Sequence, residues 1–183
     1  MVYDHDCRHV IILDKMPETV DIMPPENEFM HVASFVVYTE RVFQRTQDLT
    51  DVDIVLSPKE KEKEKDRKIK IYMSAVHEST VVPNNTEMFI CLCESYIESQ
   101  KGSSSIDEPV VVVCRDGASR SGMFITLATT VQRVLTDKDI DIFGAVKIIQ
   151  QRQPRFVDSY EQYKFIHDLV DDFMDSNQLY VNV

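Results

Sequence analysis

A chain of 183 residues, 43% hydrophobic and 28% charged, has the composition of one globular domain able to bury about 70% of its unfolded surface, which excludes a mostly disordered, collagenous or membrane-embedded protein. Its 20 basic and 31 acidic side chains leave a net charge of -11, which argues against general nucleic-acid binding through phosphate neutralisation but not against one local basic pocket. Four unevenly spaced cysteines (Cys7, Cys91, Cys93 and Cys114) point to a reducing compartment rather than a disulfide framework; with no signal-peptide pattern and no apolar run long enough to span a bilayer, the expected location is the cytoplasm.

In chain order, residues 7–13 run from charge into Val-Ile-Ile-Leu and residues 32–38 are rich in Val, Phe and Tyr, so both are predicted strands. Between them, residues 15–28 carry Pro17, Pro24 and Pro25 and are expected to form a surface loop. Residues 52–56 and 69–76 follow as short strands. The stretch 59–70 alternates Lys with Glu and holds seven positive and four negative charges. It is expected to be a solvated hairpin tip, with a basic docking site as the alternative.

From residue 86 the hydrophobic period changes. Met88, Cys91, Leu92, Tyr96 and Ile97 fall on one helical face, and Gly102 with its neighbouring serines ends that helix. Four consecutive valines, Val110 to Val113, predict a strand buried on both faces, and the helical pattern resumes near Ser121. Two further helices are expected at 139–151 and 160–174. The fold class implied is α/β, a twisted mixed sheet flanked by helices, with the loop after Val113 lying between a central strand and a helix.

Between the valine strand and the next helix stands Cys114-Arg-Asp-Gly-Ala-Ser-Arg120-Ser-Gly122, which contains two of the four glycines of the chain. A cysteine six places before an arginine is weak evidence alone. The context strengthens it, because a glycine-containing loop between a strand and a helix start is where backbone amides can converge on an anion. Arg120 can then fork two hydrogen bonds onto phosphate oxygens. The same field favours a thiolate, so Cys114 is the expected nucleophile, while Cys7, Cys91 and Cys93 are expected to be core residues.

At these residues the chain resembles the protein tyrosine phosphatase superfamily, whose loop is Cys-x5-Arg followed by Ser or Thr. Gly117 to Ser121 is also similar to the dual-specificity branch. Arg120-Ser-Gly-Met-Phe124, however, resembles the tyrosine-specific enzymes, as do Met1-Val-Tyr-Asp with the strand after it and Val157-Asp-Ser-Tyr-Glu-Gln162-Tyr-Lys-Phe165. The first of these two segments is similar to that of receptor-type members, and in particular the whole chain resembles a membrane-distal second domain. The resemblance implies that residues 1–183 form a single partial domain lacking the family's N-terminal part. It also implies Cys114, Arg120 and Ser121 as catalytic residues. Arg115, Asp116, Gly117, Ala118, Ser119, Arg120 and Gln162 are implied as substrate-binding residues, with no metal or cofactor.

Several positions depart from the family pattern. No Asn-x-Arg-Tyr loop occurs. The family's general acid, about 35 residues before the nucleophile, corresponds to Ser79, and a lost acid typically costs about 10² to 10⁴ in rate. Glu78 beside it is a weaker substitute. The His before the nucleophile is Val113, the second loop glycine is Ser119, and the first Gln of the C-terminal motif is Asp158. The expectation is a phosphatase-like domain of low or no activity, binding a phosphotyrosine protein or peptide or pairing with another phosphatase domain of the same receptor. The alternatives are a working tyrosine phosphatase and a thiol redox switch.

Overall fold

The computed structural model describes residues 2–15, 23–60, 65–74, 82–83, 86–101 and 108–177. Its elements are β1 (His9–Ile12), β2 (Phe29–Val32), β3 (Phe35–Thr46), β4 (Leu49–Pro58), β5 (Arg67–Ser74), α1 (Glu87–Lys101), β6 (Val110–Val113), α2 (Ser119–Asp137), α3 (Ile142–Gln150) and α4 (Tyr160–Ser176). They divide into two compact units, the six strands in one and the four helices in the other; the chain enters the second unit for α1, returns to the first for β6, and passes to the second again between Val113 and Cys114.

The strand unit is a six-stranded mixed sheet in the order β2-β3-β4-β5-β1-β6. β2 to β5 form an antiparallel meander, and β1 pairs in parallel with both β5 and β6. The alternation of β4 and β5 explains their register: Val52 faces Ile71 and Ile54 faces Ile69, which places all four on the same side of the pleat. Together with Ile12 and Val37 they make a continuous buried apolar cluster.

In the helical unit, α2 packs against α1, α3 and α4. Its buried residues Leu127, Val131 and Val134 recur at helical spacing, as do Ile166, Leu169 and Phe173 of α4. Phe89 of α1 joins them, its ring edge-on to Phe165 at 5.9 Å and tilted to Phe124 at 6.4 Å. No helix of the described residues is long and apolar enough to cross a membrane.

The mixed α/β fold expected from the sequence is the fold found, with three local differences. The valines of β6 are only partly buried, and among the described residues β6 ends the sheet order instead of standing centrally. A strand with one neighbour, β1, cannot be enclosed on all sides, however apolar its sequence. Second, the expected 32–38 strand is two strands, β2 and the twelve-residue β3, joined by a tight turn with Ala33 at φ +45°. Third, the hairpin tip after β4 is shorter than expected, since Arg67, Lys68 and Lys70 belong to β5. They pair there with Asp6, Glu40 (2.9 Å) and Asp51 (3.6 Å), and so do not form a free basic patch.

Candidate functional site

The Cys114 to Arg120 segment leaves β6, turns at Gly117 and enters α2 at Ser119. Gly117 adopts φ +66°, the left-handed conformation that glycine takes without steric cost, and its amide donates back to the Cys114 carbonyl at 3.3 Å. Ser119, which stands where a second glycine was expected, is not among the residues with positive φ, so a side chain is accommodated there.

Two loop amides, those of Ala118 and Ser119, converge at 3.0 Å each on Oδ1 of Asp116, and the Ser119 hydroxyl donates to Oδ2 of the same carboxylate. Burial pushes the Asp116 carboxyl up, but these bonds and one from the Cys114 thiol outweigh it and hold the group well below the usual carboxylate range. Cys114 Sγ lies 3.3 Å from Asp116 Oδ1 and receives a hydrogen bond from Ser121 Oγ at 3.0 Å. The sulfur thus stands between a carboxylate oxygen and a hydroxyl donor.

Arg120 is buried, and Arg115 is exposed. Gly122, in the first turn of α2, is required by packing: a Cβ there would meet Cβ of Phe156 at 2.9 Å and its Cα at 3.0 Å. The segment between α3 and α4 thus lies directly on the turn that follows the cysteine loop. It is held by Gln150, whose Nε2 donates to the carbonyls of Phe156 (3.1 Å) and Val157 (3.0 Å), and Val157 itself has φ +51°.

At the start of α4 the Ser159 hydroxyl accepts from the Gln162 amide, and Gln162 Oε1 accepts from the Asp158 amide at 3.0 Å. Gln162 is almost fully buried and Asp158 is exposed. The side chain implied as substrate-binding is therefore engaged at the helix start, where it reaches back to the residue before the Ser159 cap, a variant of the capping box for which Ser-x-x-Gln in the sequence is the signal. Of the other thiols, Cys7 and Cys93 are buried as expected of core residues, whereas Cys91, like Cys114, is only half-buried; burial, with Glu94 adding, pushes the Cys93 thiol up to about 12. Ser79 and Glu78 lie outside the described residues.

A family model described as protein-tyrosine phosphatase matches residues 1–172. The chain belongs to the protein-tyrosine phosphatase family. It is 38% identical over 76 residues to human receptor-type tyrosine-protein phosphatase epsilon, a match covering 42% of this chain and 11% of that protein. It is 30% identical over 101 residues to human receptor-type tyrosine-protein phosphatase alpha, covering 55% and 12%, and 31% identical over 101 residues to tyrosine-protein phosphatase Lar of Drosophila melanogaster, covering 55% and 5%. The matched segments are thus a small part of each relative's length.

Proposed function

We propose that this protein-tyrosine phosphatase domain binds phosphotyrosine-type oxyanions in its Cys114 to Arg120 loop and turns them over slowly or not at all, serving a regulatory or partner-binding role on the cytoplasmic side of a receptor. The observation that carries the binding half is the convergence of the Ala118 and Ser119 amides on one carboxylate oxygen: the loop already coordinates an oxyanion, its own. Arg120 would grip the phosphate through its fork of donors, Cys114 would be the attacking atom, and Ser121 would hold the sulfur in line.

The weak-turnover half rests on two positions. Ser79 has a hydroxyl that does not deliver a proton near neutral pH, and Asp158 puts a carboxylate where the family has an amide. The proposed partners are a phosphotyrosine protein or peptide, or another phosphatase domain of the same receptor.

Titration of the full chain with tungstate, followed by thermal denaturation, tests the binding half: stabilisation is expected, and Arg120→Ala is expected to remove it. Absence of any shift at millimolar tungstate, in protein shown by circular dichroism to be folded, would count against it. For turnover, an aryl phosphate assay should show a rate that rises by about 10² or more in Ser79→Asp with Asp158→Gln. A readily measurable wild-type rate equal to that of the double variant would make the domain an ordinary active phosphatase.

A further inference from the structure

Asp116 lies two residues after the cysteine, in the loop that Proposed function assigns to oxyanion binding, and its side chain turns back into the loop. Oδ1 takes the amides of Ala118 and Ser119 and faces the Cys114 sulfur, and Oδ2 takes the Ser119 hydroxyl. The Gly117 amide is engaged with the Cys114 carbonyl. The amides of residues 117, 118 and 119 are thus all committed inside the loop before any ligand arrives.

The bonds have the character of an anion site already filled. Two N–H groups reach a single oxygen at the same distance, which is how a nest of successive amides holds a bound anion, and a hydroxyl supports the second oxygen. The carboxylate belongs to an exposed residue, so its withdrawal requires rotation of a side chain and disturbs no core packing. While it remains, an incoming phosphate lacks two donors and meets a like charge beside the sulfur it must approach.

We infer that Asp116 is an intramolecular plug: its carboxylate occupies the amides of Ala118 and Ser119 that a substrate oxyanion needs, and a ligand binds only by displacing it. This deepens the phosphotyrosine reading and rests on it. The plug is not a proton switch, because the carboxyl is held well below the usual carboxylate range and stays ionised in mild acid. What displaces it is a competing anion of higher charge, such as a phosphate dianion seated on Arg120.

The experiment is tungstate titration by calorimetry of the full chain, of Asp116→Ala and of Asp116→Asn, with circular dichroism confirming that each is folded. Asp116→Ala should bind tungstate at least tenfold more tightly. Asp116→Asn should fall between it and the wild type, since it loses the charge but keeps an oxygen that can accept from the amides. In ¹⁵N spectra of the wild type, the Ala118 and Ser119 amide resonances should move on tungstate saturation towards a different environment, and in anion-free Asp116→Ala they should already have left their wild-type positions. Equal affinities of all three proteins would overturn the plug while leaving oxyanion binding intact. Weaker binding by both variants would also overturn it and make Asp116 a positioning residue for the loop. If none of the three binds at 10 mM tungstate (a concentration about that of the weakest specific anion sites), the oxyanion reading falls and the plug with it.

Discussion

Two helix starts in the same unit meet the same need, partners for amides that have none within the helix, and meet it differently. At α4 the residue before the helix is Ser159, whose hydroxyl accepts from the Gln162 amide while the Gln162 side chain reaches back to Asp158. At α2 the equivalent residue is Ala118, which has no side-chain oxygen, and the acceptor comes from Asp116. A helix start that closes itself leaves no donor for a ligand. At one whose cap residue lacks an oxygen, the donors are held by a neighbouring side chain, and on the proposed reading that difference separates a structural terminus from a binding one.

The comparison can be broken most forcefully at Gly122. Replacing it with Val forces a side chain into Phe156, including its backbone, and should cost about 1–3 kcal/mol, read from the urea midpoint. A loss below about 0.5 kcal/mol would mean that the segment before α4 does not rest on the start of α2. Next comes Ser159→Ala, which removes an ordinary cap and should cost about 1 kcal/mol without altering tungstate affinity. If affinity moves as well, the α4 start is not purely structural.

Acid sharpens the contrast further. The folded-state value of Asp116 is depressed, so its contribution to stability is fully present above its ordinary value of 3.8 and is lost as pH falls from there towards the lowered value. The stability difference between wild type and Asp116→Asn should therefore be flat from about pH 5 to 8 and shrink below about pH 4. A difference that already changes between pH 5 and 7 would assign the effect to another group. The smallest effect is expected for Ala118→Ser, which supplies the oxygen that α2 lacks. Because Asp116 already holds those amides, stability should change by less than about 0.5 kcal/mol, whereas a gain near 1 kcal/mol would show the amides to be open.

Much of this architecture was legible in the sequence, and the exceptions share a cause. The α1 to α4 helices follow local apolar spacing, and β1, β4 and β5 follow local strand composition, so each could be read from neighbours in the chain. The outer half of β3, from Glu40 to Thr46, could not, since its charged and exposed residues are strand only because they pair with β4. The valines of β6 show the reverse, a sequence more apolar than its place in the sheet.

At the site, the place of the Cys114 to Arg120 loop, between a strand and a helix, was legible from spacing and context. The inward direction of the Asp116 side chain was not, because it depends on the left-handed turn at Gly117, which sequence permits but does not dictate. Gln162 carried two signals at once, a family motif and a helix cap, and the structure shows the second. Glu78 and Ser79 fall outside the described residues.

The sheet order also has a kinetic consequence. β3 and β4 are joined through a tight turn, and their pairing closes a short loop at little entropic cost, whereas β6 can join β1 only after four strands and a helix have intervened. The expected sequence of events is an early β3–β4 hairpin and a late β1–β6 pair, with pulsed hydrogen exchange of Phe43, whose amide faces β4, and Val113, whose amide faces β1, as the measurement; protection of Val113 before Phe43 would refute it. Because Cys114 follows directly on Val113, the cysteine loop is tethered to the strand expected to dock last, and a nascent or partly refolded chain should reach an ordered hairpin well before that loop is in place.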